Sequence, residues 1–210
     1  MRTIVFATSN EDKLKEIREI LPEAELLTMG GIGFHEEIEE NGQSFEDNAL
    51  IKARAVADYI RKARPDLSDA LVLADDSGLE IDAMNGMPGV HSHRWLGERS
   101  YREAMEDIIA KLDGLPDEKR GTRFVCAIAA VLPRTEDAEE GRELVLRRTV
   151  EGIVARSIRG EGGFGYDPFF YVPEYGCTTA EMSREQKNAI SHRGKALRAM
   201  REELLREGLL

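Results

Sequence analysis

The sequence predicts an α/β fold built on a mixed sheet, and three observations carry that prediction. Short apolar runs at Ile4–Ala7, Leu71–Ala74 and Phe124–Leu132 have the length of buried strands. Between them lie stretches with helical spacing and recognisable capping residues. The two kinds of segment alternate irregularly rather than as strict βαβ units, which points to a mixed sheet. Residues 1–210 are expected to form a single domain, since no repeat, low-complexity tract or linker interrupts them.

Taken in order, Ile4–Ala7 reads as a short buried strand. A helix follows over Glu11–Leu21, with Leu14, Ile17 and Leu21 on one face and Ser9 or Asn10 as its N-cap. The segment from Pro22 to Gln43 is mixed and ends in the acidic run Glu36-Glu37-Ile38-Glu39-Glu40. Ser44 opens a long helix with Asp47 three residues on, a capping-box spacing, and Phe45, Ala49, Val56 and Ile60 form its apolar stripe up to Pro65. Leu71–Ala74 is a strand that Asp75-Asp76-Ser77-Gly78 is expected to stop. Leu79, Ile81 and Ala83 alternate as a separate strand, and Met87-Pro88-Gly89 is loop. Ser100 and Glu103 cap a helix that ends at Gly114. Phe124–Leu132 is apolar on both faces and belongs at the sheet centre. One or two strands are expected between Leu144 and Ile158, another at Phe169–Val172, and helices beginning at Ser183 and Ser191.

Composition excludes several classes. Forty acids against 29 bases give a net charge of −11, which argues against a protein that coats nucleic acid. Cys126 and Cys177 are too few for a disulfide framework, and Cys126 lies in an apolar run where it serves as a small hydrophobe. No run approaches the ~20 apolar residues that span a membrane. The apolar start is too short for a secretory leader. A cytoplasmic protein is expected, with no membrane or nucleic-acid partner.

Four segments carry chemistry. Thr8-Ser9-Asn10-Glu11-Asp12-Lys13 lies at a strand-to-helix junction, where unpaired N–H groups attract anions. Lys13 there opposes the helix dipole, as if neutralising a bound anion, although a plain N-cap with a solvated lysine gives the same spacing. Asp75-Asp76-Ser77-Gly78 places adjacent carboxylates after a buried strand, suited to binding Mg²⁺ or activating water, with a turn as the alternative. Gly160, Gly162 and Gly165 form a formal GxGxxG, but Pro168 and Phe169-Phe170-Tyr171 follow where a dinucleotide site needs a helix. That loop presents Phe164 between glycines, where a flat ligand can stack. Lys187, His192 and Arg193 form a local basic group in an acidic protein. Lys52 falls on the apolar stripe of its helix and calls for a carboxylate such as Asp75, or a bound anion. His91 and His93 have no third ligand nearby, so zinc is not expected.

Together these segments resemble the inosine triphosphate pyrophosphatase family. The resemblance runs through Thr8-Ser9-Asn10 with Lys13, Ser44-Phe45-Glu46-Asp47-Asn48-Ala49 with Lys52, and Ala74-Asp75-Asp76-Ser77-Gly78-Leu79. It continues through Gly86-Met87-Pro88-Gly89-Val90, Gly162-Gly163-Phe164-Gly165-Tyr166-Asp167-Pro168 and Ser191-His192-Arg193-Gly194. It covers nearly the whole chain in order. The septum-inhibitor-type nucleotide pyrophosphatases share the fold but lack the Ser-His-Arg-Gly ending. The resemblance implies an elongated, twisted mixed sheet flanked by helices, two lobes with a central nucleotide cleft, and a homodimer. It implies Mg²⁺-dependent hydrolysis of ITP, dITP and XTP to monophosphate and pyrophosphate. It assigns Thr8, Ser9, Asn10, Glu11, Asp12 and Lys13 to the triphosphate, Asp76 to activation of water, and Ser77 and Lys52 to substrate. Glu39 would bind metal with Asp76, Glu40 being the alternative. Phe164, Gly165, Tyr166 and Asp167 would hold base and sugar, and Lys187, His192 and Arg193 would read the base. The family often has Gly where Ser9 stands and a small residue where His93 stands. A nucleotide-sensing protein that binds without hydrolysis is the competing class, and the intact Asp76 and acidic run argue against it.

Overall fold

The computed structural model describes residues 2–8, 11–133 and 142–210. In chain order its elements are β1 (Arg2–Phe6), α1 (Glu11–Ile20), β2 (Ala24–Thr28), α2 (Phe45–Ala63), β3 (Leu71–Ile81) and β4 (Pro88–Gly89). Then come α3 (Tyr101–Lys111), β5 (Gly121–Val131), β6 (Glu143–Val154), β7 (Phe170–Val172), β8 (Cys177–Thr178), α4 (Arg184–Ile190) and α5 (His192–Arg206). The strands join in the order β2-β1-β3-β5-β6-β7-β8, with β4 on β3. β1 is parallel to β2 and β3, whereas β4 on β3, and β7 on β6 and β8, are antiparallel. This is the mixed α/β sheet expected from the irregular alternation of segments.

Two compact units divide the chain. The first comprises Met1–Asp76, Cys126–Arg148 and Arg193–Leu210. Its core sets Ile4, Phe6, Leu71, Leu73 and Ile128 from the strands against Leu14 and Ile17 of α1 and Leu197, Met200 and Leu204 of α5. The second comprises Ser77–Val125 and Thr149–His192, with Leu79, Ile81, Ile108, Val154, Phe169 and Phe170 at its centre. Cys126 is fully buried in the first core, as its apolar run predicts. No helix among the described residues is long and apolar enough to cross a membrane.

Local sequence sets the helix starts. The Ser44 hydroxyl accepts the Asp47 N–H at 3.1 Å while the Asp47 carboxylate accepts the Ser44 N–H at 3.2 Å. Ser100 with Glu103 and Ser183 with Gln186 build the same reciprocal cap. Each satisfies N–H groups that would otherwise be orphaned in the first turn.

Two expectations are corrected. Asp75-Asp76-Ser77-Gly78 does not stop a strand: β3 runs unbroken for 11 residues. Turn propensity loses here because both carboxylates find partners on neighbouring helices, Lys13 of α1 and Asn48 of α2, which offset their desolvation. The mixed stretch after Pro22 contains β2, whose half-buried residues lack a strong alternation. The GxGxxG segment leads into a 3₁₀ turn at Asp167–Phe169 and then β7, not a helix, as expected.

Arg120 is an unforeseen element of the second unit. It is 1% exposed and donates to the carbonyls of Val154 (2.8 Å), Leu112 (2.6 Å) and Ala155 (3.0 Å). Burial pulls its pKa below the ordinary value. One guanidinium thus joins the residue that ends α3 to the end of β6. Replacing it strands three buried acceptors, each worth about 1–3 kcal/mol. Arg120→Met is therefore expected to lower unfolding free energy by at least about 3 kcal/mol in urea titrations, with little change in m. An unshifted midpoint would show that water satisfies those carbonyls instead.

Candidate active site

Side chains alternate along β3, so Asp75 and Asp76 face different surroundings. Asp75 is 1% exposed and receives both oxygens' hydrogen bonds from the Lys13 ammonium, at 2.9 Å each. Arg193 donates from Nε to Asp75 Oδ2 at 3.2 Å and from Nη1 to Glu16 Oε2 at 3.4 Å. Burial alone would push the Asp75 carboxyl up. Lys13, Arg193 and Lys52 outweigh it and hold Asp75 well below the usual carboxylate range. The same attraction, chiefly from Asp75, raises the pKa of the buried Arg193 despite its own desolvation.

Asp76 is treated differently. It is partly buried, and that burial pushes its carboxyl above the ordinary value against the opposing pull of Lys52 and Asn48. The Asn48 amide donates to Asp76 Oδ2 at 3.1 Å, and the Lys52 ammonium lies 3.7 Å from Oδ1. Lys52 also donates to Glu40 Oε2 at 2.8 Å. The apolar-stripe position of Lys52 is therefore explained by carboxylates, as expected, with Glu40 and Asp76 in contact and Asp75 acting on it as well. Burial lowers its pKa, but Asp76, Asp75 and Glu40 together raise it.

Of the residues expected at the phosphate end, Thr8 is buried beside the end of β1 and Lys13 occupies the first turn of α1. Ser9 and Asn10 lie outside the described residues. Glu11 and Asp12 open α1, and their side chains lie outside the described part. Ser77 continues β3, half-buried. Glu39 is exposed, while its neighbour Glu40 makes the contact with Lys52. Among the described residues, no three His, Cys, Asp or Glu side chains converge as a metal cluster.

The second unit holds the glycine-loop group. Phe164 is 65% exposed, with the Lys187 ammonium 4.8 Å from its ring centroid. Asp167, itself buried, fixes both: it accepts the Phe164 N–H at 2.7 Å and the Lys187 ammonium at 2.5 Å, and Thr179 donates to it at 2.8 Å. Gly163 has φ +73°, and a Cβ there would run into Asp167 and the Lys187 ammonium. Tyr166 is buried, edge-on to Tyr101, with its hydroxyl on the Ser92 carbonyl and its pKa pushed up to about 12 by burial. It anchors the loop from beneath. His192 stacks on Phe124 at 5.1 Å, which stacks on Phe170 at 4.2 Å.

Arg193 is buried in the first unit. Its guanidinium is occupied by Asp75 and Glu16 in the first unit. Sequence reasoning missed this and also Asn48, Thr179 and Phe124. Asn48 offered one signal: a polar residue at a helical position otherwise destined for burial.

Comparison with known proteins finds relatives over nearly the whole chain. The chain is 43% identical over 206 residues to a dITP/XTP pyrophosphatase of Desulforamulus reducens, spanning 97% of this chain and 96% of that one. It is 43% identical over 204 residues to a dITP/XTP pyrophosphatase of Bacillus subtilis, spanning 95% and 96%. The Ham1 protein structure from Staphylococcus aureus superposes with a TM-score of 0.85 at 36% identity, over 98% of this chain and all of that one. The Ham1 family model matches residues 4–203, and the chain belongs to the Ham1 family.

Proposed function

We propose that this protein hydrolyses deaminated purine nucleoside triphosphates (dITP, ITP and XTP) to the monophosphate and pyrophosphate. The observation that carries the reading is the opposite treatment of two neighbouring carboxylates. Asp75 is locked as an anion by Lys13 and Arg193, while burial raises the affinity of Asp76 for a proton. Paired groups driven apart in this way divide structural and proton-transfer roles between them. The relatives' activity supports the same reading, and the net charge of −11 argues against a nucleic-acid substrate.

Release of pyrophosphate needs water to attack the α-phosphorus. Asp76 accepts the proton of that water, with one of its oxygens held by the Asn48 amide and the other facing Lys52. Lys52, beside Asp76, offsets negative charge that builds during attack. Lys13 holds the triphosphate, with the N-terminal N–H groups of α1 as further donors. Asp75 orients Lys13 by gripping its ammonium with both oxygens.

The donor set fits Mg²⁺, which takes one or two carboxylates and completes its shell with water and phosphate oxygens. Asp76 and Glu40, both against Lys52, would hold it, with Glu39 as an exposed neighbour. When bound, the ion draws charge from the phosphate oxygens. The base lies on Phe164, where Lys187 offers donors only. A 6-oxo purine presents an acceptor where adenine presents an amino group, so the site favours the oxo bases.

Incubation with dITP, ITP, XTP, GTP and ATP followed by anion-exchange chromatography tests the reaction. Monophosphate and pyrophosphate are expected, and dIDP as the main product from dITP would overturn the reading. Asp76→Asn is expected to lower kcat by about 10²–10⁴-fold while dITP still binds by calorimetry. A rate above about a tenth of wild type would remove Asp76 from the proton-accepting role.

Asp75→Asn tests the locking carboxylate. Its pKa lies below the ordinary 3.8, so its stabilisation is complete above that pH and is lost as pH falls through the depressed native value. The variant is expected to lose about 3–5 kcal/mol at pH 7, because Arg193 stays buried without its main counter-charge. The gap from wild type should close as the pH falls below 3.8. A gap that is constant from pH 7 down to the acid transition would show that charge pairing is not its source.

A further inference from the structure

Asn48 stands in the first turn of α2 and is 1% exposed, among the apolar residues Phe45, Ala49 and Ala53. A buried amide must place both its ends. Its Oδ1 accepts the Gly42 N–H at 2.8 Å, and its Nδ2 donates to Asp76 Oδ2 at 3.1 Å. These partners fix its orientation: the backbone N–H needs an acceptor and the carboxylate needs a donor, so the amide cannot turn over without losing both. Gly42 can come this close because it has no side chain. A Cβ there would lie 2.6 Å from Asp47 Cβ and 2.7 Å from Asn48 Oδ1.

The contacts close a ring. Two residues before Gly42, Glu40 meets Lys52 at 2.8 Å, and Lys52 lies 3.7 Å from Asp76 Oδ1. One Asp76 oxygen therefore faces the amide and the other faces the ammonium. The same amide ties down the segment that carries Glu40.

We propose that Asn48 is a positioning residue for the reaction: by holding Asp76 Oδ2 and the Gly42 backbone at once, it fixes which oxygen of Asp76 faces Lys52 and sets the spacing between Asp76 and Glu40. This rests on the reading of Asp76 as proton acceptor. Asn48 touches no reacting atom. It acts through Asp76, where a small misplacement of a catalytic group is costly.

The test compares four variants in steady-state kinetics with dITP, alongside thermal unfolding. Asn48→Asp keeps an acceptor for the Gly42 N–H and removes the donor to Asp76. Asn48→Ser is smaller and brings no buried charge, which keeps the test open if Asn48→Asp folds poorly. Ser44→Ala weakens the cap of the same helix without touching the amide. Asp76→Asn checks the underlying reading. Both Asn48 variants are expected to lower kcat by about 10²-fold. Their KM should stay within about threefold of wild type, since substrate contacts persist. Ser44→Ala should lower Tm by about a few degrees and keep kcat within about twofold. If the Asn48 variants keep wild-type kcat while Asp76→Asn is inactive, the positioning role is wrong and the proton-acceptor reading stands. If Ser44→Ala loses kcat in proportion to Tm as the Asn48 variants do, Asn48 matters only for the helix, and the inference fails. If Asp76→Asn itself turns over normally, the proton-acceptor reading fails, and the inference with it.

Discussion

A carboxylate buried to 1% exposure within an apolar strand governs the first unit. An uncompensated charge there would not persist, so Asp75 draws in cations from two other elements: Lys13 from α1 and Arg193 from α5. Three elements distant in sequence are thereby bound to one point. Buried ion pairs add little net stability compared with apolar packing, because desolvation consumes most of the attraction. Their contribution is geometric. Lys13 is only partly buried, so its ammonium is held in place yet remains reachable by an anion at the start of α1.

The second unit uses the same economy with different chemistry. The buried Asp167 gathers a backbone N–H, a threonine hydroxyl and an ammonium around itself, and so sets an exposed phenyl ring and a cation side by side. Tyr166 and Tyr101 pack beneath that loop. In both units an acidic side chain hidden from water organises groups that are not hidden. The exposed groups are held by buried ones.

What was legible in the sequence follows from the range of the forces involved. The caps at Ser44, Ser100 and Ser183 are contacts over three residues, and local spacing finds them. Lys52 on an apolar stripe rightly called for acidic company, because a helix fixes the direction of its side chains. The unbroken course of β3 was not legible. Asp-Asp-Ser-Gly has strong turn chemistry, and its partners lie up to 118 residues away. The pairing of Arg193 was hidden for the same reason: Ser-His-Arg-Gly reads as one basic group, and neither the stacking of His192 on Phe124 nor the contact of Arg193 with Asp75 is local. Arg120 gave no signal, since a lone arginine before a strand looks like a surface residue until its three carbonyl partners are known.

The adjacency of Asp75 and Asp76 on one continuous strand constrains how this chain can change over generations. Pleating alone gives the two carboxylates their separate neighbours. Adding one residue between Leu71 and Asp75 would carry Asp75 to the place and face that Asp76 now has, beside Lys52, and removing one would carry Asp76 to that of Asp75, beside Lys13 and Arg193. Substitution can proceed along much of β3, but its length cannot drift. Loops elsewhere can absorb added residues, whereas in this stretch the count itself decides which carboxylate meets which partner.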